Sequence, residues 1–233
     1  MKKKQKNLLD VYKNCPIPKE EILANLGLFI PKCELARMLY MDYIYRKILE
    51  VHGIIIEFGT RWGQNLALFE SLRGIYEPFN ANRKIIGLDT FKGFPYVSKE
   101  DGDVKIGSFG VTEKYELYLA ELLNIQEMEG PSLPARCEVL KGEASIELRK
   151  YLGGHPETMV ALAYFDLDLY EPTRVCLDLV KDSVVKGGII AFDELNDRRW
   201  PGETIALKEV LGISDYKLCH TLYSSSRSYL VVE

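Results

Sequence analysis

The sequence predicts an α/β fold built on one doubly wound, mostly parallel sheet. Three observations carry this. Short, unbroken apolar runs recur along the chain, of the kind found in strands covered on both faces. Helical patterns separate these runs, and such alternation implies right-handed crossovers that leave helices on both sides of the sheet. Finally, 233 residues, 47% hydrophobic and 27% charged, suffice for one core, able to bury on the order of 70% of the surface that the unfolded chain exposes.

The elements follow in order. The start, MKKKQKNLLDVY, is basic like a secretory signal, but Asp10 interrupts its apolar run after two leucines, so it is not read as one. From Pro31 to about Glu50, Leu35, Met38, Leu39, Ile44, Ile48 and Leu49 recur at helical spacing, with Pro31 where a first turn tolerates it. After the break at Gly53, GIIIEFG reads as the first strand. Further strands are expected in RKIIGLD (83–89), CEVLKG (137–142), TMVALAYFDLD (158–168) and GGIIAFDE (187–194), with helical patterns such as Val175, Cys176, Leu179 and Val180 between them. At the end, DYKLCHTLY and SYLVVE are two strand-like runs joined by the turn-rich SSSR, an antiparallel hairpin at the sheet edge. With no repeat and no linker, residues 1–52 are expected to be an N-terminal helical segment packing on a core domain of residues 53–233.

Two segments are irregular. Thr90 to Val111 is a glycine-rich stretch of 22 residues that carries Phe91, Phe94, Tyr96 and Phe109; loops this long are usually lids or binding loops. Leu195 to Pro201 follows a strand end directly and holds Arg198, Arg199 and Trp200. Both leave C-terminal strand ends, where open parallel sheets bind their ligands.

Charge narrows the function. Thirty lysines and arginines against 34 aspartates and glutamates give a net charge of −4, which supplies no general attraction for nucleic acid or anionic lipid. No run approaches the 18 or so apolar residues of a membrane span. Five scattered cysteines without a CxxC pair read as reduced, mostly buried thiols of a cytoplasmic protein.

The first strand runs into Glu57, Gly59 and Gly63, spaced E-x-G-x-x-x-G, which lets the backbone turn sharply beside a ligand. Asp89 closes the second strand, where a carboxylate can accept both hydroxyls of a ribose; a buried structural aspartate is the alternative. Asp166 and Asp168, two apart in an extended strand, would project together, and the adjacent strand delivers Asp193 and Glu194. Four converging carboxylates without compensating lysines repel one another, which a divalent cation resolves. All-oxygen donors favour magnesium, with manganese or calcium as substitutes. Helix N-capping by some of the four is the competing account. His52, His155 and His220 sit where structural or surface roles suffice.

EFGTRWG, GLDTFKGFP, FDLDLYEPT and GGIIAFDE with the later RWPGE resemble the macrocin O-methyltransferase family of class I S-adenosylmethionine enzymes, over about Pro31 to Val210. The resemblance implies a Rossmann-like class I methyltransferase fold and metal-dependent methylation of a sugar hydroxyl. It carries the cofactor loop onto Glu57, Gly59, Thr60 and Gly63, the ribose-binding acid onto Asp89 with Thr90 and Phe91 beside it, and the adenine-side acid onto Glu143 with Ala144. Asp166 then serves both cofactor and metal, Asp193 and Glu194 complete the metal ligands, and Asp168 is the general base. The family usually has two consecutive aspartates where this chain has Asp193 and Glu194.

Chemistry agrees with that implication: methyl transfer from a sulfonium needs an aligned oxygen and a group to take its proton. A nicotinamide dehydrogenase would want GxGxxG and an acid about 20 residues on. A catechol-type O-methyltransferase and a non-catalytic S-adenosylmethionine-binding subunit are the rivals, the latter disfavoured by retention of the full acidic set. The expected partner is a small sugar-containing acceptor, and the chain is expected to form a homo-oligomer.

Overall fold

The apolar runs form strands because each is buried from both sides. The structure is a computed structural model that describes residues 7–129 and 137–233; the lysine-rich start weighed above lies outside these at residues 1–6. In chain order the elements are α1 (Leu8–Lys13), α2 (Lys32–Lys47), β1 (Ile54–Phe58), α3 (Gln64–Tyr76), β2 (Ile85–Asp89), α4 (Tyr115–Glu127), β3 (Cys137–Lys141), α5 (Ala144–Gly154), β4 (Val160–Phe165), α6 (Tyr170–Val180), β5 (Val184–Phe192), α7 (Gly202–Val210), β6 (Cys219–Thr221) and β7 (Ser224–Val231). The seven strands form one sheet in the order β3-β2-β1-β4-β5-β7-β6. The first five run parallel, whereas β7 pairs antiparallel with β5 and β6 antiparallel with β7. This is the expected doubly wound sheet with its C-terminal hairpin. Among the described residues, no helix is long and apolar enough to cross a membrane.

Strand alternation sorts the core into two layers. Ile54, Ile56, Phe58, Phe165, Ile190 and Phe192 face α5, α6 and α7, packing with Leu148, Cys176, Leu177 and Leu207. On the other face Ile55, Ile85, Leu162, Tyr164 and Ile189 meet Ile44, Leu66, Phe69, Leu119 and Leu123 of α2, α3 and α4. Glu57 shares the face of Ile55 and lies fully buried under that layer.

Three details differ from expectation. The buried stripe of α2 runs through Tyr40, Met41, Ile44 and Tyr45, while Leu35 and Leu39 stay exposed. Tyrosine can take the inner face because its hydroxyls are bonded there, Tyr40 to the Ser228 carbonyl at 3.2 Å and Tyr45 to Glu77 at 2.6 Å. Next, Ser224–Arg227 belong to β7, and the hairpin turns instead at Leu222 and Tyr223. Pairing along β5 and a buried partner for Arg227 outweigh the turn propensity of the serines. Lastly, Cys176 is the one fully buried thiol, and Cys33 is exposed.

Arg83 ties three segments together at the far end of the sheet from the site. Its guanidinium donates to the carbonyls of Ile48 (2.9 Å), Val51 (2.9 Å) and Gly53 (2.5 Å) and pairs with Glu77 at 2.9 Å. Replacing it by methionine keeps apolar bulk but leaves these acceptors buried and unpaired. Arg83→Met should therefore cost about 3–5 kcal/mol, read as a lower urea midpoint with an unchanged slope; a loss below about 1 kcal/mol would contradict this role.

Candidate functional site

The parallel register brings the ends of the strands into a row. The Gly59 amide bonds the Leu88 carbonyl, Asp166 bonds Phe58, Asp193 bonds Phe165 and Gly142 bonds Asp89, each N···O distance lying between 2.8 and 3.0 Å. Beneath the row, Phe58, Phe165 and Phe192 stack with centroids 4.4 and 5.2 Å apart, a rigid apolar floor. Gly59 has φ +92°, and a Cβ there would fall 1.8 Å from the Asp166 carbonyl oxygen, so only glycine lets β1 exit this close to β4.

Asp166 and Asp168 do come together, though not as neighbours along an extended strand. β4 ends at Phe165, and Asp168 takes a left-handed conformation with φ +62°. One oxygen each of Asp166, Asp168 and Glu194 lies within 4.8 Å of the others. Asp193, expected as a ligand, lines the same cleft beside Glu194 but is not one of these three, because its oxygens are engaged elsewhere. Its two oxygens accept from Arg227 on β7 at 2.5 and 3.1 Å, and the Tyr164 hydroxyl donates to it as well.

A fifth carboxylate underlies the group. Glu203, at the start of α7, is fully buried and accepts from the amides of Leu167 (3.0 Å), Asp168 (3.4 Å) and Glu194 (3.3 Å). It thereby binds the two strand-end turns to each other. Gly202 makes this possible, since a Cβ there would lie 2.5 Å from the Tyr170 amide and 2.8 Å from the Asp168 carbonyl oxygen.

Proton affinities follow from this crowding. Burial, then Asp193 and Asp168, push Asp166 well above the usual carboxylate range. Burial raises Asp168 to about 6 and, with Asp168 and Asp193 adding to it, Glu203 to about 8. Glu194 is also driven well up, by burial and by the four surrounding carboxylates. Burial also acts on Asp193, yet the Arg227 guanidinium beside it holds it below its ordinary value. Among the described residues no lysine or arginine forms an ion pair with Asp166, Asp168 or Glu194, so they retain, to higher pH than ordinary carboxylates, protons that a bound cation would displace, and one Glu194 oxygen is buried without a partner. Three hard oxygen donors in this state fit a divalent cation.

The cluster opens into a cleft of about 360 Å³, lined also by Gly59, Thr60, Asp89, Thr90, Glu143 and Ala144. Asp89 accepts from the amides of Arg61 (2.7 Å) and Phe91 (2.5 Å), which leaves lone pairs free on both oxygens. Glu143 N-caps α5, accepting from the amide and hydroxyl of Ser145 at 3.2 and 2.8 Å, so the capping weighed for the acidic set falls here and not on Asp168. Three expected cofactor residues do not line the cleft. Phe91 is buried in the layer beneath α2 to α4, Gly63 packs against Leu119 at the start of α3, and Glu57 lies under β1 with both oxygens unpartnered. Burial raises Glu57 to about 8.

Opposite the acids stands an aromatic wall from the two irregular segments. Phe94, Phe109 and Trp200 pack as a triad with centroids 5.3, 5.5 and 6.4 Å apart, and the Arg61 guanidinium lies 4.7 Å from the Phe109 ring. The long loop is pinned at its middle, where Asp101 accepts from the Tyr170 amide at 2.5 Å and supplies the cap that Leu169 does not. Sequence reasoning missed Glu203, Arg61 and Arg227. RWPGE was quoted as a motif and Glu203 was its signal; Arg227 was hidden in a run that reads as a turn.

No family model and no curated protein matches the sequence. Solved structures do. A crystal structure of CalS11, a calicheamicin methyltransferase, superposes with a TM-score of 0.92 at 41% identity, over 96% of this chain and 89% of that one. An apo structure of CalS11, a TDP-rhamnose 3'-O-methyltransferase, superposes at 0.85 and 38% identity, over 96% and 90%. The O-methyltransferase NovP shares the fold at 0.64 and 18% identity, over 84% and 79%.

Raised carboxylates make stability depend on pH with a defined sign. Glu57 moves from 4.5 to about 8 on folding, so the stability that its proton secures is present below pH 4.5 and lost as pH rises toward 8. The chelator-treated, ligand-free protein should show a falling melting temperature over that window. Glu57→Gln should flatten the fall, because an amide never ionises; an unchanged slope would contradict the buried, unpartnered state of Glu57.

Proposed function

Because the chain belongs to the sugar O-methyltransferase family that includes CalS11, we propose that it transfers a methyl group from S-adenosylmethionine to a sugar hydroxyl with the help of a divalent cation. One observation carries this: a single cleft joins two nucleoside-suited carboxylates, Asp89 and Glu143, to the three-carboxylate cluster.

The residues fit both groups. Asp89, with lone pairs to spare, suits the ribose hydroxyls, and Glu143 suits the adenine edge beside Ala144. Asp166, Asp168 and Glu194 would hold the cation, with magnesium the best match to an all-oxygen set. When bound, it supplies Lewis-acid stabilisation of negative charge at the acceptor oxygen.

Asp168 takes the hydroxyl proton. A carboxylate has two oxygens, so one can serve the cluster while the other faces the acceptor, and a value of about 6 keeps it mostly ionised near neutral pH. Glu203 holds the Asp168 turn by its backbone, so the base keeps its place while its charge changes. Asp193, neutralised by Arg227, anchors the neighbouring strand end. The aromatic wall sheds water from the acceptor side, which favours attack by the sugar hydroxyl over hydrolysis. TDP-rhamnose, which CalS11 is described as methylating, is the first acceptor to try, with other nucleotide-linked deoxysugars, glycosylated natural products and polysaccharides after it.

The test is methyl transfer from labelled S-adenosylmethionine across these acceptors with magnesium added; transfer to a catechol and to no sugar would overturn the reading. With an accepted sugar, Asp168→Asn should lower kcat by about 100-fold or more while leaving cofactor affinity intact. Asp166→Asn should weaken cation affinity by about 10- to 100-fold, with partial rescue at high magnesium. Asp193→Asn should act differently, costing about 3–5 kcal/mol of stability by stranding Arg227 while weakening cation affinity less than Asp166→Asn does. Equal loss of cation affinity in both variants would return Asp193 to the ligand set.

A further inference from the structure

The cleft has two chemically unlike walls, and only the acidic one is used above. The other wall consists of Phe109 and Trp200, backed by Phe94, with Arg61 against the outer side of Phe109. Phe94 is buried and gives the wall its support, whereas Phe109 keeps 38% of its surface exposed and Trp200 is half-buried. Large aromatic rings left open inside a cleft are available for an apolar partner. The partner must also present hydroxyls across the cleft to the carboxylates. A pyranose does both, because its ring has a face of C–H groups and an edge of hydroxyls.

Arg61 adds a second requirement. Its backbone takes φ +48° with its amide on Asp89 at 2.7 Å, and the residue lines the cleft. Arg37 is near Glu34 at 3.7 Å and Arg199 pairs with Asp197 at 2.7 Å, but among the described residues the Arg61 guanidinium forms no ion pair. The guanidinium rests on the flat face of Phe109 within electrostatic reach of Asp168 and Asp89 but without a direct ion pair, which leaves its donor edge for an anion.

We propose that Trp200 and Phe109 are the stacking platform for the acceptor's sugar ring and that Arg61 receives a phosphate attached to that sugar when the acceptor is nucleotide-linked. This rests on the sugar methyltransferase reading and specifies its acceptor side. Trp200 and Arg61 are the specificity residues: one selects for a ring with an apolar face, the other for its anionic tail.

The experiment uses the chain's two tryptophans. In a Trp62→Phe background Trp200 is the sole indole reporter, and TDP-rhamnose is titrated in the presence of S-adenosylhomocysteine. A saturable change in Trp200 fluorescence is expected, with a smaller one for TDP alone. By calorimetry, Trp200→Ala and Phe109→Ala should each weaken TDP-rhamnose by about tenfold, while S-adenosylhomocysteine affinity stays within twofold. Trp200→Phe, which keeps a ring and guards against a folding artefact, should recover most of the loss. Arg61→Gln should weaken TDP-rhamnose and TDP to the same extent and reduce the salt dependence of both. TDP-rhamnose binding with silent Trp200 fluorescence and unaltered affinity in Trp200→Ala would overturn the platform; equal affinity in Arg61→Gln would overturn the phosphate site. Failure of TDP-rhamnose to bind beside bound S-adenosylhomocysteine overturns the inference alone, since methylation of a neutral sugar would still sustain the wider reading.

Discussion

Five carboxylates crowded at the ends of two adjacent parallel strands and the start of α7, two of them buried and three half-buried, are the constraint around which the rest of the molecule is arranged. Asp166, Asp168, Asp193, Glu194 and Glu203 repel one another in a setting where little water screens them. The chain resolves part of this itself. Arg227 reaches in from the last strand to neutralise Asp193, and three backbone amides solvate Glu203. The hairpin added at the sheet edge therefore does electrostatic work at the centre of the sheet. Gly202 and Gly59 exist for the same arrangement, each removing a side chain where two backbones must nearly touch.

What remains is the set Asp166, Asp168 and Glu194, which among the described residues forms no ion pair with lysine or arginine. Its oxygens are close together and open to one cleft, and those are the properties that divalent-cation chemistry on a hydroxyl requires. The proposed mechanism divides labour by environment and not by residue type: Asp193 and its chain neighbour Glu194 differ in role because the first is paired with Arg227 and the second is not. Across the cleft, the aromatic wall supplies what carboxylates lack, an apolar surface and a cation at its edge. An acceptor with both a C–H face and an anionic tail is matched on each side.

The sheet was legible in the sequence because GIIIEFG, RKIIGLD and VALAYF bury both faces and so show as unbroken apolar runs. Which face of α2 turns inward was not, since tyrosines bury there only with hydrogen-bond partners at Ser228 and Glu77, both distant in sequence. Asp166, Asp168 and Glu194 were legible as a group from their positions at strand ends. The separation of Asp193 from them was not, because it depends on Arg227, and the SSSR run reads locally as a turn. Phe91 shows the same limit: adjacent to Asp89 it looked cofactor-facing, yet a left-handed backbone, with φ +57°, swings its ring into the core and leaves only its amide at the site.

The central claim is that Asp166, Asp168 and Glu194 hold a divalent cation while Asp193 stays with Arg227. A crystal structure of the manganese-soaked protein, with anomalous differences measured at the manganese edge, tests this most directly. The account predicts one strong peak enclosed by Asp166, Asp168 and Glu194, with the Asp193–Arg227 pair intact. A peak on Asp193 with Arg227 displaced, or no peak at saturating manganese, would contradict it.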